Sequence, residues 1–428
     1  MMARTSIPGA DDITRVELGN GIVVLARENP NSKAVTLRGS LLAGGLLDPQ
    51  DKLGLADFTA SMLMRGTAER SFQEIYDALE SSGASFGFNS GTHTTGFGGR
   101  ALAEDFSLLL QLGREALFAP AFPDEHVEKV RAQLLTGLSL RAQDTRDMAS
   151  LMFDEMVYAG HPYARADEGH PHTIAAITRQ DLVDFHQRNF GPRGMLLVVV
   201  GGISAKDAVE QVRAAFEGWQ NPQQPQQAKL PTWQPLPERS YRRLDIAGKS
   251  QSDVIIGTGG PLRKDPQYMA ASLGNNILGR FGMMGRVGDS VREKAGLAYY
   301  AYSSLGGGLG PDPWIVAAGV NPANEEQATD LIFKEIERFT TELVSEEELS
   351  DSQSNYIGSM PLSLESNGGV ADALMSMERF ELGMDYYRHF PDEVRSVTRE
   401  AVLQAAQRFL KADEMAVAVA GPPRTETL

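Results

Sequence analysis

The chain of 428 residues repeats one of its own patterns in its second half. The first copy carries Ile177-Thr-Arg, Arg188, Met195, Val199 and Gly201, and the second carries Val397-Thr-Arg, Arg408, Met415, Val419 and Gly421, each 220 positions later. In both copies a predicted helix precedes a predicted strand. A repeat of this kind indicates an internal duplication. We therefore expect the two halves of the chain to fold alike.

A segment rich in proline and glutamine separates the two halves. Five prolines are interleaved with glutamines between Trp219 and Ser240: Pro222, Pro225, Pro231, Pro235 and Pro237. Such a composition favours a stiff, extended chain without a core of its own. We predict an N-terminal domain of residues 1–218, a linker of residues 219–240 and a C-terminal domain of residues 241–428.

The first half predicts both strands and helices. Asn20-Gly21 is a dipeptide typical of a tight hairpin turn, and Ser71 with Glu74 has the spacing of a helix capping box. Strands are predicted at Ile13 to Leu18, Ile22 to Arg27, Lys33 to Leu42, Ser85 to Asn89, Thr94 to Arg100 and Met195 to Val200. Helices lie between them. With the duplication, this pattern predicts an α+β fold of two homologous α/β domains.

The charge and the composition exclude several classes of protein. There are 56 acidic and 40 basic residues, a formal charge of -16, and no basic cluster, so we expect no nucleic-acid partner and no anionic membrane partner. The longest apolar run is far shorter than the roughly 20 residues of a membrane span. Cysteine is absent, which excludes thiolate zinc sites. The compartment stays open, with the periplasm slightly favoured over the cytoplasm because the doubled initial methionine fits a chain whose export signal was removed.

Arg292 and Tyr299 are the candidate catalytic residues. Asp289 to Lys294 is predicted to end a helix, Gly296 to stop it in a left-handed conformation, and Leu297 to Ser304 to form a strand. The arginine and the tyrosine would then converge, and both donate hydrogen bonds near neutral pH. Two such donors can hold a carbonyl oxygen that becomes an oxyanion. The alternative is purely structural, since helix ends favour cations and strands favour tyrosine.

Three stretches of the chain resemble a known family. They are the fourteen residues from Gly54 to Thr67, the tripeptide His161-Pro-Tyr163, and above all Arg292-Glu-Lys-Ala-Gly-Leu-Ala-Tyr299. They resemble the insulinase and pitrilysin family of metallopeptidases, and the chain is similar to the non-catalytic alpha subunit of mitochondrial processing peptidase, in a bacterial heterodimeric form. The resemblance implies that two such chains close like a clamshell around an unfolded peptide. It also implies that one supplies the zinc while the other supplies the arginine and the tyrosine.

The zinc motif of that family is degenerate in this chain. The family carries His-x-x-Glu-His, the inverzincin pattern, where this chain has Asp57-Phe-Thr-Ala60-Ser61. The downstream acidic ligand aligns with Thr136 or Gly137. A hydrolytic zinc site requires three protein ligands and a water. We therefore expect no metal and no cofactor on this chain, and zinc on a homologous partner.

A glycine-bearing loop before the arginine is a candidate substrate-binding segment. It carries Gly282, Met283 and Met284, and the resemblance implies that such a loop handles substrate. The alternative is a solvated hinge without substrate contact. The run from Gly83 to Gly99 is similar to the family's strand at the substrate edge, which an extended peptide can join by strand addition.

These features lead to one preferred function and two alternatives. The preferred function is a non-catalytic subunit of a heterodimeric zinc metalloendopeptidase that acts on unfolded peptides and is inactive alone. The alternatives are a structural or assembly subunit and a peptide-binding module without a proteolytic role. Retention of both donors favours the first, because a structural subunit has no need of them. Tyr300, the next residue of the strand, is expected to face the other way and to be dispensable.

Overall fold

The computed structural model describes residues 7–226, 229–280, 282 and 285–424. The strands are β1 (Thr14–Glu17), β2 (Val23–Glu28), β3 (Ala34–Leu41), β4 (Ser85–Ser90), β5 (Thr95–Leu102), β6 (Leu196–Gly201), β7 (Ser240–Asp245), β8 (Ser252–Gly259), β9 (Ala298–Leu305), β10 (Pro313–Val320) and β11 (Ala416–Gly421). The helices of the first half are α1 (Leu55–Met62), α2 (Phe72–Ser81), α3 (Phe106–Phe118), α4 (Asp124–Arg141), α5 (Thr145–Val157), α6 (Pro171–Ala176), α7 (Arg179–Asn189) and α8 (Ala205–Phe216). Those of the second half are α9 (Tyr268–Gly279), α10 (Gly285–Val287), a π-helix (Gly288–Lys294), α11 (Glu325–Thr341), α12 (Glu346–Ser363), α13 (Asn367–Arg379), α14 (Tyr386–Ser396) and α15 (Arg399–Phe409).

The first sheet has six strands in the order β1-β2-β6-β3-β5-β4. Strands β2 and β6 run parallel, and the other neighbours are antiparallel. Gly21 turns between β1 and β2 with a φ of 89°, which confirms the predicted hairpin. The apolar strand β6 lies inside the sheet and is buried along most of its length, as its run of valines requires.

The second sheet repeats the topology of the first. Its order is β7-β11-β8-β10-β9, with β7 and β11 parallel and the other pairs antiparallel. These strands take the places of β2, β6, β3, β5 and β4. Helix α15 and strand β11 begin 220 residues after α7 and β6, at Arg399 and Ala416. The predicted duplication and the predicted α+β fold of two homologous domains are therefore confirmed.

The described chain forms two compact units, and each takes a segment from the other half of the sequence. The first unit spans Met1–Leu138, Ala166–Lys229 and Met360–His389, and the second spans Ser139–Arg165, Leu230–Ser359 and Phe390–Leu428. Thus α13 packs on β3 and β6, whereas α5 packs on β8 and β11. The sequence did not indicate this exchange. The continuous domains 1–218 and 241–428 stay a prediction.

The packing of α5 shows why the second unit holds this segment. Its face toward the sheet is apolar and buried, with Met152 and Phe153 among the residues packed against Ile255, Ala317 and Ala418. Burial of that much apolar surface favours the contact at roughly 25 cal/mol for each Å² removed from water. In the linker, residues 221–226 and 229–239 form neither helix nor strand. Among the described helices, none is long and apolar enough to cross a membrane.

Candidate functional site

Arg292 lies in a π-helix that directly precedes strand β9. The helix runs from Gly288 to Lys294, and the backbone N–H of Ala295 donates to Ser290 O at 3.2 Å, five residues back. Val291 is fully buried and packs this turn against the core. The side chain of Arg292, the next residue, is 35% exposed. Its guanidinium lies 3.6 Å from the Glu293 carboxylate. The sequence predicted a helix here, but not its π geometry, which is frequent at functional sites.

Gly296 ends the helix in the predicted left-handed conformation. Its φ is +65°, and its backbone N–H donates to Arg292 O at 3.1 Å. The next residue, Leu297, donates to Val291 O at 3.0 Å. These two bonds satisfy carbonyl groups that a helix end leaves without partners. The turn thereby delivers the chain into β9, which begins at Ala298, one residue before Tyr299.

Tyr299 occupies a β-bulge on an edge strand. Strand β9 lies at the end of the second sheet and pairs with β10. Tyr300 lies opposite Gly319, whereas Ala298 lies opposite Val320, so Tyr299 is the extra residue between them. A bulge re-aims the side chain it carries and is common beside active sites. Tyr299 is 71% exposed as a whole residue, and within the described part of the chain its hydroxyl makes no hydrogen bond.

The structure thus places both predicted donors on consecutive elements at one edge of the second sheet. Arg292 presents a permanent positive charge, and Tyr299 presents a phenol proton. Within the described residues, the Tyr299 hydroxyl has no hydrogen-bond partner, and the only carboxylate paired with the Arg292 guanidinium is that of the exposed Glu293. A ligand carbonyl can therefore be received without breaking the fold. Their catalytic role stays a prediction.

Tyr300 has a different position from the one expected of a dispensable residue. Its hydroxyl donates to Asp253 Oδ1 and accepts from Arg146 Nε at 3.1 Å. The Arg146 guanidinium also lies 4.3 Å from the centre of its ring. Burial and the bond to Asp253 raise the pKa of the Tyr300 hydroxyl, so it stays protonated. These contacts argue against the expectation that Tyr300 is dispensable, because its hydroxyl is one of the donors to the buried Asp253 carboxylate.

Helix α1 forms although its zinc ligands are missing. The Asp48 carboxylate caps it by accepting from the backbone N–H groups of Gly54, Leu55 and Ala56 at 2.8, 3.1 and 2.9 Å. Such a cap satisfies donors that the first turn leaves unpaired. Ala60, which aligns with the family's general base, is buried in the core at 2% exposure. Sequence analysis did not predict this role for Asp48, because the N–H groups that it accepts from lie beyond a turn that contains Pro49.

The residues at the degenerate zinc motif do not fit a zinc ion. Asp57 has a carboxylate, but Ala60 has no polar side-chain atom and Ser61 has only a hydroxyl. Thr136 donates its hydroxyl to Ala132 O at 2.8 Å within its own helix, and Gly137 has no side chain. Among the described residues, no three His, Cys, Asp or Glu side chains are grouped to hold a metal. One carboxylate cannot replace the three ligands that a zinc site needs.

Asp57 makes the stability of the fold depend on pH. Burial, with Glu168 and Asp167 nearby, raises its pKa from 3.8 to about 6. Because the pKa of Asp57 is higher in the folded than in the unfolded chain, ionisation of this carboxyl opposes folding. The stability that protonated Asp57 contributes is fully present below about pH 4 and is lost as the pH rises through about 6. We expect Asp57→Asn to raise the free energy of unfolding at pH 8 by about 1 to 2 kcal/mol, and by much less at pH 4. Thermal melting at both pH values measures this, and an equal gain at both would contradict a charge effect.

Of the three residues predicted to bind substrate, only Gly282 is described, and it has a φ of +62°. Met283 and Met284 lie outside the described residues. The substrate-binding role of this loop stays a prediction. The other predicted substrate element, β4, lies at the edge of the first sheet, paired with β5. That position is the one an added peptide strand requires.

Two family models match most of the chain. Residues 23–166 match the model described as "Insulinase (Peptidase family M16)", and residues 176–356 match the model described as "Peptidase M16 inactive domain". The chain belongs to the insulinase family of peptidases, M16. The second model includes Arg292 and Tyr299, and the first includes the degenerate motif at Asp57. The boundary between the two M16 models lies about 50 residues before the proline-rich linker.

Several bacterial proteins resemble the chain over nearly its whole length. An "uncharacterized zinc protease" of Streptomyces coelicolor is 25% identical over 92% of this chain and 88% of its own, and one of Mycobacterium leprae is 24% identical over 96% and 92%. A solved "peptidase M16 inactive domain" from Pseudomonas fluorescens is 27% identical, with a TM-score of 0.89 over 97% of this chain and 99% of its own. A protease from Helicobacter pylori shares the fold, with a TM-score of 0.88 at 18% identity.

Proposed function

We propose that this chain is the metal-free subunit of a heterodimeric zinc endopeptidase, inactive alone and completed by a homologous His-x-x-Glu-His partner. One observation carries the proposal. Helix α1, which the resemblance aligns with the family's zinc helix, carries Asp57, Ala60 and Ser61 in place of the zinc ligands and the general base, while Arg292 and Tyr299 stay accessible. The M16 relatives that are called zinc proteases support the reaction class. The metal-free role rests on the residues of this chain.

The chemistry of the two donors fits a role opposite a metal. Zinc, when bound to the partner, supplies a Lewis acid and an activated water. On this chain, Arg292 and Tyr299 would donate hydrogen bonds to the scissile carbonyl oxygen, and these bonds strengthen as that oxygen gains negative charge. The bulge and the π-turn hold both donors on rigid elements. Preorganised donors need no rearrangement when the charge develops.

The exposure of Tyr299 favours this role over a purely structural subunit. A tyrosine kept only for strand formation is stabilised by packing its ring against apolar neighbours, whereas Tyr299 is 71% exposed to solvent. A peptide-binding module without proteolysis would also keep the donors. The two functions differ in their partner, because only the first needs a chain that carries zinc.

Affinity purification from native extract under mild salt tests the proposal. We expect one homologous chain with an intact His-x-x-Glu-His motif to co-purify in a one-to-one ratio, and zinc to follow that chain. Unfolded peptides should be cleaved by the complex. Recovery of this chain alone, or only with components that lack the motif, would contradict the proposal and favour an assembly subunit.

A further inference from the structure

We propose that Tyr300 is a positioning residue: together with Asp253 and Arg146 it forms a latch that fixes the bulge carrying Tyr299. The inference rests on the proposed function of Tyr299 for its catalytic consequence. Its structural part rests on contacts within the second unit alone. We call these three residues the latch.

Two residues of the latch, Asp253 and Tyr300, lie on strands that are separated by β10, in one row across the sheet. Asp253 of β8 lies opposite Gly319 of β10, and Gly319 lies opposite Tyr300 of β9. Directly opposed residues share a face, so the tyrosine can reach the carboxylate only by lying across the middle strand. Gly319 provides that space. A Cβ at this position would lie 2.4 Å from Tyr300 Cε1 and 2.7 Å from Gln251 Nε2.

The buried carboxylate at the centre of the latch has several donors. Asp253 is 2% exposed and accepts from Tyr300 and from the Thr145 hydroxyl, while Gln251 Nε2 donates to it at 3.1 Å. Arg146 adds a positive charge from helix α5 and stacks on the Tyr300 ring. A buried carboxylate that loses a donor incurs a large desolvation cost. Without the Tyr300 hydroxyl, Asp253 would keep Thr145 and Gln251 as donors but would lose the hydrogen bond that ties it to β9.

The latch lies immediately beside the irregular step of the strand. Regular pairing resumes at Tyr300 and Gly319, and the register shift falls between Gly319 and Val320. A strand can slip by one residue where its register is weakly specified, and such a slip turns side chains to the other face. Anchoring Tyr300 to Asp253 prevents that slip. The direction of Tyr299 is thereby fixed by a residue that does not touch the substrate.

Tyr300→Phe in the reconstituted heterodimer tests the inference, with Tyr302→Phe as the matched control. The hydroxyl of Tyr302 makes no hydrogen bond within the described residues, although its ring also contacts Arg146 at 5.8 Å. We expect Tyr300→Phe to lower kcat about tenfold with little change in KM, since it misplaces a group that acts in the transition state. In a Tyr299→Phe background the same change should cost less than about twofold, because the two residues act as one unit.

Hydrogen exchange of the backbone amides at 297–301 gives a readout that does not depend on turnover. Exchange should become faster in Tyr300→Phe and, to a smaller extent, in Arg146→Gln, but not in Tyr302→Phe. Unchanged exchange in Tyr300→Phe would overturn the latch. An equal loss of kcat on Tyr300→Phe in the wild-type and in the Tyr299→Phe background would overturn it as well. If exchange rises as expected while Tyr299→Phe retains full activity, the latch stands and the proposed role of Tyr299 fails.

Discussion

Replacing Tyr299 by Phe in the reconstituted heterodimer is expected to lower turnover about 100-fold to 1000-fold, or roughly 3 to 4 kcal/mol. The change removes one hydroxyl from a residue that is 71% exposed, so folding and assembly should be unaffected. Arg292→Ala should lower turnover by the same order. It should also weaken peptide binding, since it removes both the charge and the partly buried aliphatic part of the side chain. Steady-state kinetics on each variant, with assembly verified by gel filtration, measures both effects.

Tyr302→Phe is the control for this experiment as well. It removes a hydroxyl from the same strand, and we expect turnover within about twofold of wild type because that hydroxyl has no described partner. Tyr300 cannot serve, since its hydroxyl bonds to Asp253. A Tyr299→Phe enzyme within about threefold of wild type would remove the catalytic role and favour the structural subunit.

The second large effect concerns the isolated chain, which we expect to hold no stoichiometric zinc and to cleave no peptide. Asp57 alone cannot provide a site, because Ala60 and Ser61 supply neither ligand nor base. Elemental analysis after exhaustive dialysis, beside a peptide-cleavage assay with added zinc, measures both quantities. One tightly held zinc per chain that is lost in Asp57→Asn would overturn this prediction.

Local patterns of the sequence predicted much of the fold correctly. Asn20-Gly21 closes a hairpin, and the Ser71 hydroxyl accepts from the Glu74 backbone while the Glu74 carboxylate accepts from Ser71. Each depends on residues no more than a few positions apart. The 220-residue repeat also predicted that the two halves have the same topology, as the strand orders of the two sheets show. The resemblance to the M16 family then located the degenerate motif at Asp57.

The features that sequence could not predict depend on distant contacts. Strand alternation predicted that Tyr300 and Tyr299 point to opposite faces of the sheet. No residue near Tyr300 in the sequence indicates that its hydroxyl bonds to the carboxylate of Asp253, 47 positions earlier. The bulge at Tyr299 follows from pairing with β10 across a hairpin. The raised pKa of Asp57 arises first from its burial and then from Glu168 and Asp167, which lie more than 100 positions away in the sequence.

The exchange of segments between the two units has the same origin. Helix α5 carries an apolar face, which the sequence does show, but the sequence does not say which sheet that face covers. Either sheet offers apolar residues in alternation. Only the assembled packing assigns α5 to β8 and β11, and α13 to β3 and β6.

The turnover of the zinc-carrying partner, measured per zinc ion as this chain is titrated in, shows directly whether this chain completes the active site. The partner alone should cleave an unfolded peptide at a negligible rate. Activity should rise with added chain and saturate at one chain per partner, and the Tyr299→Phe chain should bind equally but restore no more than about one hundredth of the rate. A partner that reaches its full rate without this chain would contradict the account.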